Sequence, residues 1–106
     1  MPRRNRPATL FAALGDETRL RLVDRLSGRG PMSITNLTAG SRVTRQAITK
    51  HLRVMEGAGL VRSEWHGREC RWRLEEQRLR DARHYLDQIS AQWDAALGRL
   101  QKFVED

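Results

Sequence analysis

Residues Val43 to Val61, reading VTRQAITKHLRVMEGAGLV, form a helix with two incompatible faces. On a 3.6-residue repeat, Ile48, Leu52 and Met55 fall on one side, while Gln46, Thr49, Lys50 and Arg53 fall on the other. The first face has to be buried against other elements. The second offers donors and acceptors suited to base edges and phosphates. Thr44 stands just before the helix, where its hydroxyl can cap free backbone amides, and Gly57 and Gly59 follow its last turn as terminators. At about four turns, the segment has the size and polarity of the second helix of a helix-turn-helix laid in the major groove.

Charge is distributed to match. The chain carries 20 Lys and Arg against 13 Asp and Glu, a formal +7. Residues 1–74 hold 15 basic and 6 acidic residues, whereas 75–106 hold 5 and 7. A basic front half favours a polyanionic partner, and the tail has a different task. Within 106 residues there is room for one domain with a modest core. The apolar run Ala8 to Leu14 is too short for a membrane span or signal peptide and is followed by Gly15, Asp16 and Glu17, so a cytoplasmic protein is expected. The lone Cys70 has no internal disulfide partner, which fits a reducing compartment.

The remaining elements follow from glycine and proline punctuation. Ala8 to Leu14 reads as a short helix, which Gly15 breaks and Asp16 recaps. A second helix runs from Glu17 to Leu26 with Leu20, Leu22, Val23 and Leu26 turned inward. Gly28, Gly30 and Pro31 end it, and Ser33 caps a third short helix reaching Thr38. After Gly59 the pattern becomes extended: Leu60 to Trp65 and Cys70 to Leu74 flank a turn containing Gly67, giving a two-stranded hairpin that must lean on the helices. Trp65 and Trp72 are expected to cover its packed face. Its arginines Arg62, Arg71 and Arg73 either meet phosphates or form a solvated strand face, while Arg68 at the tip is best placed to reach a minor groove.

In the tail, Leu79, Ala82, Leu86, Ile89, Trp93, Ala96, Leu100 and Phe103 recur at spacings of three and four, a heptad seam. The helix carrying it is close to 40 Å long at about 1.5 Å per residue, more than its own small domain can cover. A homodimer is therefore expected, with Leu79, Leu86, Ile89, Trp93 and Leu100 in the interface, assisted by Leu10, Phe11 and Leu14 of the first helix. A tail folded back on its own domain is the competing arrangement. The division is a basic arm at 1–7, a DNA-binding domain at 8–77 and a dimerisation helix at 78–106; the class is mostly α with a small β-hairpin.

LGDETRLRLVDRL at Leu14 to Leu26, MSITNL at Met32 to Leu37 and the VTRQAITKHLRVMEGAGLV block resemble the arsenic-repressor (ArsR) type of winged helix-turn-helix regulator, over about residues 8 to 104. The resemblance implies a dimeric bacterial transcription factor, usually a repressor. Many members sense metals, but the chain departs from both familiar sites. Ser33 and Thr35 stand where one places thiolates, neither a soft-metal ligand. In the other, Asp81 is present, but Arg83 replaces a histidine and Asp94 and Leu97 stand near the later ligands. No metal or cofactor is expected, and His84 is read as a surface or interface residue. An effector ligand has no signature in the sequence.

Cys70 is read as a structural strand residue, with redox sensing beside Arg68 and Arg71 as the alternative. His51 is assigned to packing or a phosphate contact. No phosphate-binding glycine loop, HExxH or nucleophile with a paired base occurs, so catalysis is not expected. Double-stranded DNA is the expected partner. Arg45, Gln46, Thr49 and Lys50 are the candidates for base edges, and Arg42, Thr44, Arg53 and the wing's Arg68 for phosphates or the minor groove. The N-terminal Arg3, Arg4 and Arg6 either add backbone contacts or form a disordered tail. A dimeric protein adaptor and a sequence-indifferent nucleic-acid binder are the alternatives to a sequence-specific regulator.

Overall fold

The computed structural model describes residues 6–105; Arg3, Arg4 and most of the expected arm lie outside that range. Helix α1 (Pro7–Leu14) begins with proline, whose fixed φ and missing N–H suit a first turn. Asp16 then caps α2 (Glu17–Arg29), its carboxylate accepting from the Arg19 amide at 3.1 Å. α2 runs three residues past the expected Leu26, through Gly28, and stops at Gly30. Leu22 and Leu26 are buried and Val23 packs on the core, as expected, but Leu20 is 49% exposed. Two residues from Leu22, Leu20 lies about 160° round the helix and cannot share the inward face.

The chain then forms a strand that the sequence pattern misses. β1 (Met32–Ser33) pairs antiparallel with β3 (Glu69–Leu74), Met32 opposite Trp72, and β3 pairs with β2 (Val61–His66). The sheet is three-stranded in the order β1-β3-β2, so the expected two-stranded hairpin gains an edge partner. Two residues are too few to show an alternating pattern, and only the tertiary pairing reveals them. Ser33 ends β1 and at once caps α3 (Ile34–Thr38), accepting from the Asn36 amide.

Helix α4 (Arg45–Gly57) has the expected N-cap, the Thr44 hydroxyl accepting from the Ala47 amide at 3.1 Å. Gly57 remains helical, and Gly59, at φ +77, turns the chain into β2. Ile48, Leu52 and Met55 sit at the centre of the core with Leu10, Leu22, Leu26, Leu37, Leu60 and Trp72. The hairpin turn spans Gly67 and Arg68 between the paired His66 and Glu69, with positive φ at Gly67, as a II′ turn demands.

Trp65 departs from expectation. It shares the helix-facing side of the hairpin with Val61, Ser63, Cys70, Trp72 and Leu74, as the register requires. Trp72 is 3% exposed but Trp65 is 73% exposed. The hairpin overshoots the helices beneath it, leaving the outer end of its packed face uncovered.

Helix α5 (Glu76–Glu105) begins two residues before the expected boundary. Leu79 and Ala82 pack on the core, and Tyr85 meets the ring of Phe11 at 5.7 Å. Beyond that the helix leaves the domain: Leu86, Trp93, Leu97, Leu100, Phe103 and Val104 are all exposed, Ile89 only half-buried. The longest dimension is 68 Å and the radius of gyration 18.1 Å, against about 13 Å for a compact chain of this length. The tail does not fold back on its own domain. No described helix is long and apolar enough to cross a membrane.

Candidate nucleic-acid interface

Three arginines brace the helices around α4 by donating to backbone carbonyls. Arg25 donates to the carbonyls of Asn36, Leu37 and Ala39 at 3.2, 2.9 and 3.0 Å, clamping the C-terminal end of α3 to α2. Those carbonyls lack helical partners, so a guanidinium there satisfies them and complements the helix dipole. Arg19 donates to the Ala13 carbonyl at 2.6 Å and reaches Nδ1 of His51 at 3.2 Å, joining the end of α1 to α4. Arg78 donates to the Ala58 carbonyl at 3.2 Å and to Asp81 at 3.1 Å, fixing the end of α4 to α5. His51, three-quarters buried and 3.8 Å from Asp16, is thereby a packing residue.

The polar face of α4 remains open. Arg45, Gln46, Lys50 and Arg53 are exposed and Thr49 is half-buried, its hydroxyl donating to the Arg45 carbonyl at 2.9 Å. Arg42, Arg45, Lys50 and Arg68 have no carboxylate partner among the described residues; Arg45 and Lys50 are on α4, Arg42 precedes it and Arg68 is in the hairpin turn. Arg53 is exposed but held, 3.4 Å from Glu56 and 5.7 Å over the ring of Trp72.

The other hairpin arginines are engaged. Arg62 pairs with Glu75 at 3.6 Å, Arg71 with Glu69 at 2.6 Å, and Arg73 with Glu75 at 3.1 Å. Of the two readings of these three, a solvated, internally paired strand face describes their positions. Between α4, the start of α3 and the hairpin lies a groove of about 730 Å³, with Arg45, Thr49, Arg53, Trp65 and Arg68 on its walls.

The dimer-interface candidates divide. Leu10 is 1% exposed within a single chain and belongs to the core, and Phe11, Leu14 and Leu79 are partly buried against it. Leu86, Trp93 and Leu100 are exposed along α5. At the metal-site position, both Asp81 oxygens are occupied: Gln77 donates to one and Arg78 to the other, each at 3.1 Å. Those hydrogen bonds, Gln77's first, hold its pKa below the usual 3.8. Among the described residues no three His, Cys, Asp or Glu side chains cluster as a metal site.

A trihelical core whose last helix presents a polar face, followed by a hairpin wing, defines a winged helix-turn-helix DNA-binding protein. The helix-turn-helix domain family model matches residues 14–64. An HTH-type transcriptional regulator of Bacillus subtilis is 45% identical over 65 residues, covering 56% of this chain and 71% of the relative. One from Mycobacterium tuberculosis is 33% identical over 99 residues, 93% of this chain and 89% of the relative. An ArsR-like transcriptional regulator from a Rhodococcus species superposes with a TM-score of 0.81 at 39% identity, over 92% of this chain and 91% of that one. The chain belongs to the ArsR family of DNA-binding transcriptional regulators.

Proposed function

We propose that this regulator is a homodimeric repressor that binds an inverted-repeat operator. The observation that carries the reading is α5, whose outer half holds Leu86, Trp93, Leu97, Leu100 and Phe103 exposed in a row that no other described part of the chain covers. A second copy related by a two-fold axis buries that row against itself. The pairing sets two α4 helices in successive major grooves, about 34 Å apart. Arg45, Gln46, Thr49 and Lys50 face the base edges, Arg42, Thr44 and Arg53 hold the backbone, and Arg68 enters the minor groove from the wing. Repression follows from occupancy, since a bound dimer excludes polymerase from the same DNA.

The test is fluorescence anisotropy with the duplex upstream of the chain's own gene, a shuffled duplex, and a duplex whose half-sites are separated by an extra half turn. Saturation at one dimer per site on the first duplex alone, with affinity lost when the half-sites rotate about 180° apart, is the expected result. Equal affinity for all three duplexes would instead indicate sequence-indifferent binding.

A further inference from the structure

We infer that the groove between α4 and the wing is a track for one sugar–phosphate strand, and that Trp65 forms its apolar wall against the deoxyriboses. The inference rests on the DNA-binding reading and deepens it. A protein with one element in the major groove and another in the adjacent minor groove straddles the strand that separates the two grooves. That strand has to pass between α4 and the hairpin tip, where this chain has an open groove of about 730 Å³.

The walls suit that occupant. Arg45, Thr49 and Arg53, spaced four apart along α4, line the groove, and Arg68 lines it from the wing tip. Its one carboxylate, Glu69, is held by Arg71 at 2.6 Å, leaving the cations in excess. Neither Arg45 nor Arg68 has a carboxylate partner among the described residues. Trp65 lines the same groove, an indole 73% exposed on the helix-facing side of the wing. A deoxyribose offers C–H surface between successive phosphates, so an apolar ring flanked by guanidiniums matches the alternation of a DNA strand. Gln46 and Lys50 do not line the groove. They lie one position further round α4, so the track narrows the base-edge set given above to Gln46 and Lys50 and reassigns Arg45 and Thr49 to the backbone.

The test needs no knowledge of the operator, because a backbone track acts on any duplex. Trp65→Ala, Trp65→Phe and Arg68→Ala are compared with the wild-type chain by anisotropy on a random-sequence duplex across a salt series. Trp65→Ala should weaken binding about tenfold with the wild-type salt slope, and Trp65→Phe should restore most of the loss. Arg68→Ala should reduce the salt slope by about one. Because Trp65 is so exposed, thermal melting and oligomeric state should match the wild type, which separates lost contact from lost fold. Wild-type binding with Trp65→Ala within about twofold of it overturns the inference and leaves the DNA-binding reading intact. A change in oligomeric state overturns it in favour of a protein interface at Trp65. Wild-type protein that binds no duplex at low salt overturns the DNA reading and this inference together.

Discussion

Arg19, Arg25 and Arg78 act on backbone carbonyls inside the protein, whereas the exposed Gln46 and Lys50 have no side-chain hydrogen bond or ion pair among the described residues. Side-chain chemistry alone does not separate these roles; position does. Gln46→Ala should therefore leave stability unchanged and relax specificity at particular base pairs by about 1–3 kcal/mol, measured with a panel of singly substituted operator duplexes. A uniform loss across the panel would assign Gln46 to the backbone instead. Asp16 is a different case. Its pKa is held below the usual 3.8, first by the hydrogen bond from the Arg19 amide; burial opposes this, and the nearby His51 and Arg19 lower it further. A carboxylate whose folded pKa is depressed adds stability above its unfolded value, and that contribution disappears as pH falls through the folded value. Asp16→Asn keeps the capping oxygen and removes the charge. The gap in melting temperature between wild type and Asp16→Asn should be widest near neutrality and close as pH drops below 3.8, in thermal melts over a pH series. A gap independent of pH would mean that the charge contributes nothing.

At the scale of elements, the turn between α4 and β2 fixes the wing relative to the DNA-facing helix. Gly59 adopts φ +77, and a Cβ there would meet Nε of Arg78 at 3.4 Å. Gly59→Ala should cost about 1–2 kcal/mol of stability in urea unfolding, from the left-handed backbone alone. Gly57, two residues earlier, is helical with nothing within 4 Å of where its Cβ would lie. Gly57→Ala should stabilise the chain by up to about 1 kcal/mol. Opposite signs for two alanines so close in sequence would locate the end of α4 in solution; matching signs would place it elsewhere. β1 contributes in the same region, since its pairing with β3 anchors the wing on the side away from β2.

For the whole molecule, the extended shape carries the consequence. A 68 Å long dimension and an α5 exposed over its outer half are what the proposed dimer accounts for. Trp93, 64% exposed in the middle of the row, is the largest side chain available to anchor the proposed dimer. Trp93→Asp should weaken self-association by about thirtyfold or more and shift the mass measured by light scattering toward that of a single chain. Operator affinity should fall with it, because each half-site then binds alone. An unchanged mass would remove α5 from the interface.

The sequence by itself determined the elements that have a period. The two-faced helix Arg45–Gly57, the caps Asp16, Ser33 and Thr44, the hairpin around Gly67 and the apolar row of α5 were all legible, because each is written in residues that are neighbours along the chain. The exposed cations Arg42, Arg45, Lys50 and Arg68 were named as DNA-binding candidates for the same reason. The tertiary structure decided what depends on residues distant in sequence. Leu10 is core because α1 is roofed by other elements, and Trp65 is bare because the hairpin outruns the helices that cover Trp72. β1 exists only through its partner strand. Arg25 and Arg19 lose their availability to carbonyls eleven to fourteen and six residues away, respectively. Local patterns record which face of an element is apolar, whereas burial and charge neutralisation are set by what the fold brings against that face.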